Sequence, residues 1–134
     1  MAYVWTDELI SGNRQVDEQH KMLFTAVNNF MDACAMGKGR KYIEDTMQFL
    51  VDYTVGHFAD EEKLQLACKY PGYAAHKKIH DDFKRTAGEL FAELKAEGPT
   101  IVMVSKVSSI VGNWLVTHIK QEDLKFVKYM KANT

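Results

Sequence analysis

The sequence predicts an all-α fold, an up-down-up-down antiparallel four-helix bundle with an extended N-terminal arm and a short C-terminal helix. Three observations carry this expectation. Apolar residues recur at steps of three and four in four separate stretches, the period of a helix that buries one face. Short breakers rich in Gly and Pro separate those stretches, and short connections favour antiparallel neighbours. No segment combines strand alternation with hairpin chemistry, and no internal repeat or low-complexity run is present.

Residues 1–16 show no sustained period and read as an arm lying against the bundle, with Trp5 and Ile10 as its large apolar anchors and Gly12-Asn13 as a turn. Asp17 has the chemistry of an N-cap for the first helix. The series His20, Leu23, Val27, Phe30, Cys34 follows, widened by Phe24 and Met31, and it should stop at Gly37-Lys38-Gly39. The second helix should start near Arg40 and carry Ile43, Met47, Leu50, Thr54, His57, Glu61 and Leu64 on one seam. Pro71-Gly72 breaks it. The third helix carries Tyr73, His76, His80, Phe83, Ala87, Leu90 and Leu94, and Gly98-Pro99 ends it. The fourth runs through Val104, Val107, Val111, Trp114 and His118. After the polar stretch Lys120-Gln121-Glu122, residues 124–130 form the last short helix.

Composition narrows the class. At 134 residues, 46% of them hydrophobic, the chain fits one domain, residues 1–134, with residues 1–16 as arm and 17–134 as bundle. The 17 Lys and Arg are dispersed among 18 Asp and Glu, for a net charge of −1. No basic patch points to nucleic acid or to an anionic membrane surface. The longest apolar runs are too short to span a bilayer, and the N-terminus lacks a signal-peptide pattern. The two cysteines, Cys34 and Cys68, match no zinc spacing and do not imply a disulfide. A cytoplasmic setting with reduced thiols is expected, for a soluble domain free-standing or attached to a membrane-anchored receptor.

The unusual feature is polar. All five histidines, His20, His57, His76, His80 and His118, fall on the predicted inner seams. A lone histidine on an apolar face is more often a satisfied core residue than a ligand. Seam positions are about two in seven, so chance would place all five there with a probability of roughly a fraction of one per cent. His57 and Glu61, and likewise His76 and His80, are four residues apart and share a helix face. In an up-down bundle all these residues reach the same end. A carboxylate on an apolar seam is costly unless a cation pairs with it. The pattern therefore predicts a buried metal site, although spacing alone does not distinguish iron from zinc or manganese. Asp123 lies five residues after His118, a spacing that turns it off the seam of an intact helix. If Asp123 belongs to the site, the helix must end or distort between them.

The set His20, His57-x-x-x-Glu61, His76-x-x-x-His80 and His118-x-x-x-x-Asp123 resembles the hemerythrin motif in type, order and spacing. Tyr70-Pro71 and residues 114–119 (Trp-Leu-Val-Thr-His-Ile) also resemble hemerythrin, and the likeness covers almost the whole chain. The arm and residues 16–21 resemble bacterial members. More narrowly, the chain is similar to the hemerythrin-like domain at the C-terminal end of methyl-accepting chemotaxis receptors.

The resemblance implies a non-haem di-iron centre that binds O2 reversibly. His76, His80 and His118 would hold one iron, and His20 and His57 the other. Glu61 and Asp123 would bridge them, together with an oxo or hydroxo group. The iron with two histidines would keep an open position for O2, and no residue would act as a catalyst. Di-iron oxygenases and ferroxidases are carboxylate-rich and use Glu-x-x-His pairs. This chain has none, its nearest approach being Asp17-x-x-His20. Five neutral imidazoles argue for binding O2 rather than cleaving it. Leu115 and Ile119, with Phe58, Trp114 and Phe126, are candidates for an apolar O2-pocket wall or plain core residues. Met22, Met31, Met47 and Met103 read as packing, and Asp60 and Glu62 as a solvated face. The expectation is an O2- or redox-sensing domain joined to the signalling segment of a chemotaxis receptor, not an enzyme. The alternatives are free-standing O2 storage or delivery and, from another class, a di-iron enzyme of peroxide or NO chemistry or iron oxidation.

Overall fold

The computed structural model describes residues 3–133. Four helical rods pack in sequence, and among the described residues there is no strand. The first rod is α1, Arg14–Ala35; the second is α2, Arg40–Ala67; the third is α3, Tyr73–Glu97. The fourth is one continuous helix of mixed pitch. It comprises α4, Ile101–Lys106, a π-helical turn Val107–Gly112, α5, Asn113–His118, a second π turn Ile119–Asp123, and α6, Leu124–Ala132. Neighbouring rods pack in chain order, and the first π turn packs back on α1, which closes the bundle. No helix is long and apolar enough to cross a membrane, among the described residues.

The predicted breaks fall where they should. After α1 the chain turns at Gly37, whose φ of 66° lies in the left-handed region that glycine adopts without a Cβ penalty. Lys38 N then donates back to Ala33 O at 3.0 Å and satisfies a carbonyl the helix end leaves open. The seams of α2 and α3 are buried as read, from Ile43 through Glu61 and from His76 through Leu94; only Leu64 and Tyr73 at the ends are partly exposed.

Three local readings are corrected. Asp17 is not the N-cap. Asn13 caps α1 by accepting from Val16 N at 2.9 Å, so the helix begins at Arg14. Asp17 instead ties down the preceding turn, accepting from Ser11 N at 2.9 Å and Gly12 N at 3.1 Å. Both residue types cap well, and the Ser11-Gly12 turn decides between them. In the arm, a 3-10 turn at Asp7–Leu9 buries Leu9, while Ile10 is half exposed and anchors nothing. In the fourth rod the polar residues 120–122 do not separate a last helix; they lie in a π turn, which is the distortion expected between His118 and Asp123, and α6 continues the same helix. Each π turn inserts an extra residue and shifts the buried face. Met103, Val107, Val111, Leu115 and His118 are therefore the buried set, with Val104 and Trp114 only partly covered.

The arm is docked through Tyr3. The Asn28 side chain accepts from Tyr3 N and donates to Tyr3 O, both at 2.8 Å. The Tyr3 hydroxyl donates to Ser108 O at 2.7 Å, on the first π turn. Its ring lies where a Cβ on Gly112 would be, 2.2 Å from the Tyr3 Cζ. Only glycine leaves that space.

Candidate metal centre

The four rods bring all seven expected ligands to one end of the bundle. His20 comes from the start of α1, His57 and Glu61 from the end of α2, and His76 and His80 from the start of α3. His118 ends α5, and Asp123 closes the second π turn. All seven side chains are buried, with residue exposures between 0% and 5%. Asp123 is only 1% exposed, so the distortion required by its spacing does turn it inward.

The donor atoms form two overlapping sets, within each of which they lie within 4.8 Å of one another. One set is His76, His80, His118, Glu61 and Asp123; the other is His20, His57, Glu61 and Asp123. The carboxyl groups belong to both, one oxygen to each side. Glu61 Oε1 lies 2.8 Å from His76 Nε2 and 3.3 Å from His80 Nε2. Its Oε2 faces His57 Nε2 at 3.6 Å and His20 Nε2 at 3.9 Å. Asp123 Oδ1 lies 3.0 Å from His118 Nε2 and 3.1 Å from His76 Nε2, and Oδ2 lies 2.9 Å from His20 Nε2. This is the layout of two bridging carboxylates between two cation positions.

Hydrogen bonding does not account for the cluster. His20 Nε2, His76 Nε2, both oxygens of Glu61 and Asp123 Oδ1 are buried without a well-directed hydrogen-bond partner. Such groups are expensive to bury unpaired. His80 Nε2 and His118 Nε2 lie 3.2 Å apart, two ring nitrogens facing each other. Donors held about 2.1 Å from an octahedral ion lie about 3 Å apart along an edge. Most of the spacings here have that length. The residues fit a pair of cations better than they fit one another.

The electrostatics agree. Burial would raise the Asp123 carboxyl, but the His118 charge and the close ring nitrogens of His118, His20 and His76 outweigh it and hold it well below its ordinary value. Burial also opposes a charged His76, yet Asp123 and Glu61 hold that ring up at about 9. His57 goes the other way, pushed down by burial to about 4 despite the pull of Glu61.

Aromatic rings brace the histidines. Phe58 stacks on His80 with centroids 3.8 Å apart and planes within 3°, and Trp114 stacks on His118 at 4.4 Å and 9°. Phe126 approaches His76 at 6.5 Å. These three predicted wall residues thus lie against the three-histidine set, with Phe58 also 6.0 Å from His57. Leu115 and Ile119 are buried in the same core cluster as Phe58. Trp5, expected only as an anchor of the arm, lies beside the two-histidine set, 6.4 Å from His20 and edge-on to Phe24.

The reading of Asp60 and Glu62 as a solvated face is corrected. Glu62 Oε2 lies 2.8 Å from His80 Nδ1. Asp60 Oδ2 accepts from Gln19 Nε2 at 2.8 Å, and Gln19 Oε1 lies 2.7 Å from His57 Nδ1. Gln19, Asp60 and Glu62 are functional candidates that sequence reasoning missed. Their only signal is adjacency to His20 and Glu61.

Comparison with known proteins gives one answer. The family model of the Hemerythrin HHE cation binding domain matches residues 11–130. A bacteriohemerythrin of Pseudomonas aeruginosa (strain LESB58) is 36% identical over 124 residues, 92% of this chain and 78% of that protein. A myohemerythrin of Theromyzon tessulatum is 31% identical over 124 residues, 92% of this chain and 90% of that one. The crystal structure of a wild-type hemerythrin superposes with a TM-score of 0.86 at 29% identity, covering 97% of this chain and 98% of the other. The four-helix architecture, the shared carboxyl groups and these likenesses together make the chain a member of the hemerythrin family, an O2-binding protein with a non-haem di-iron centre.

Proposed function

We propose that residues 1–134 act as one di-iron domain that stores or delivers O2. His76, His80 and His118 would hold one iron, His20 and His57 the other, and Glu61 and Asp123 would be shared between them. The observation that carries this reading is the shared pair of carboxyl groups between a three-histidine and a two-histidine set. With these residues as ligands, the three-histidine side would be the fuller one, and the two-histidine side would keep room for O2. When bound, the iron pair supplies the two electrons of reversible O2 uptake. The chain supplies the rest: neutral imidazoles that keep the reduced state accessible, and apolar walls that exclude water. Leu115, Ile119, Phe58, Trp114 and Phe126 remain our candidates for that wall, with Trp5 added on the His20 side.

Storage is favoured over sensing by the relatives, which are named bacteriohemerythrin and myohemerythrin. None of these names describes a chemotaxis receptor, and that partner has no support among them. They likewise favour a hemerythrin over a di-iron enzyme.

The test is metal content with optical spectra of the anaerobically reduced protein, then in air, then under vacuum. About two irons per chain and a visible band that comes with air and leaves under vacuum are the expected results. Two irons with prompt irreversible oxidation would overturn the carrier reading, and no iron would overturn the di-iron assignment.

A further inference from the structure

Two of the five histidines are held from behind by side chains of opposite character. His80 Nδ1 meets the carboxylate of Glu62, whose side chain is only 14% exposed. His57 Nδ1 meets the side-chain amide of Gln19. Which end of that amide faces the ring follows from its other contact. Asp60 offers only acceptor oxygens when ionised, so the Gln19 group 2.8 Å from Asp60 Oδ2 is the NH2. Gln19 Oε1 therefore faces His57 and accepts from Nδ1–H. Both rings are thus fixed with the proton on Nδ1 and the Nε2 lone pair aimed at the centre. They differ in charge. A carboxylate behind a ligating imidazole draws its proton and makes the ring a stronger donor. Hydrogen bonds to an ionised acceptor are roughly twice as strong as neutral ones. The Asp60 charge reaches His57 only through a neutral amide.

We propose that Glu62 and Gln19 are positioning residues that separate the two metal positions electronically. Glu62 strengthens donation through His80 and favours the higher iron charge at the three-histidine position. Gln19, oriented by Asp60, fixes the His57 tautomer without adding charge and keeps the two-histidine position in its reduced, O2-receptive state. This rests on the proposed assignment of the five histidines to two irons.

The experiment has two parts. In the metal-free protein, long-range 1H–15N spectra of labelled histidines report the tautomers without any iron. His57 and His80 should both carry the proton on Nδ1, and Asp60→Ala should release His57 from that form while leaving His80 in it. In the iron-loaded protein, Glu62→Gln replaces the carboxylate behind His80 by an amide. The pair Gln19→Glu with Asp60→Asn does the reverse behind His57 and keeps a donor for the new carboxylate. Potentials are measured by spectroelectrochemical titration. Autoxidation is followed as O2 takes two electrons from the iron pair and two protons from solvent and leaves as hydrogen peroxide. Glu62→Gln should raise the potential and slow autoxidation by about 10-fold, and the double variant should lower it and speed autoxidation by about 10-fold. Wild-type potentials and rates in both variants, at two irons per chain, would overturn the proposal. So would metal-free spectra in which neither ring carries its proton on Nδ1. A wild-type protein without iron would instead overturn the di-iron assignment, and the metal-free spectra would still decide whether Gln19 and Glu62 orient the rings.

Discussion

Replacing Glu61 and His76 together by Leu should make the metal-free protein more stable while destroying its metal site. Glu61 has no exposed side-chain surface, and neither of its oxygens has a well-directed hydrogen bond. Without metal it lies 2.8 Å from a His76 ring held protonated up to about 9, so the two form a buried ion pair. Removing both leaves Asp123 beside His118 at 3.0 Å, the ring whose charge holds its carboxyl down. Leu fills much of the volume of Glu on a seam that already carries Leu50 and Met47. Replacing a whole buried ion pair by apolar residues of similar size is often stabilising by roughly 1–4 kcal/mol, whereas removing one partner alone is destabilising. For a 134-residue domain each kcal/mol is worth about 4 °C, so the expected rise is about 4–16 °C. The assay is thermal unfolding of wild type and variant in chelator, followed by iron content after reconstitution. The reasoning fails if the metal-free variant melts below wild type, because the pair would then be satisfied in the fold itself. It fails equally if the variant still takes up two irons.

Metal-free stability should peak near pH 6.5. As pH rises from 6.5 to about 9, folded His76 keeps a proton that the unfolded chain has lost, so stability falls by up to about 1.4 kcal/mol per pH unit. As pH falls from 6.5 to about 4, the unfolded chain binds a proton that buried His57 refuses, and stability falls again; a flat urea-denaturation profile across pH 5–9 would contradict both shifts. Leu115→Ala, at a site 7% exposed, should open the pocket wall and speed autoxidation several-fold, and an unchanged rate would make Leu115 plain packing. Gly112→Ala should force the Tyr3 ring off the first π turn and cost roughly 1–3 kcal/mol. The same variant in a Tyr3→Ala background should cost far less, as read by urea titration.

How legible the molecule was depended on whether a residue broke a local rule. The helices were legible because apolar steps of three and four leave few alternatives, and the ligands were legible because five histidines and Glu61 sit where apolar residues belong. The first π turn had no such mark. The ring of Tyr3 packs against it at Gly112, a contact across 109 positions that no local pattern encodes. Gln19, Asp60 and Glu62 were invisible for the opposite reason. They are polar residues at partly exposed positions, where polar residues need no explanation. Only the packing of α1 against α2 and of α2 against α3 reveals what they touch.

The spacing of His118 and Asp123 lies between these cases. Five residues on an ideal α-helix advance 500°, which leaves the second side chain about 140° away from the first. Both side chains nevertheless point inward, with His118 Nε2 and Asp123 Oδ1 3.0 Å apart. A π turn absorbs the surplus residue, so that position i+5 falls near where i+4 would stand. The cost of that poorer helical turn is set against the cost of leaving His20, His76 and His118 without their shared carboxylate. The second cost falls on three rings at once, and each buried polar group left without its partner forfeits roughly 1–3 kcal/mol. The site therefore shapes the helix, and a spacing that looks wrong for a seam is what a bridging ligand looks like in a sequence.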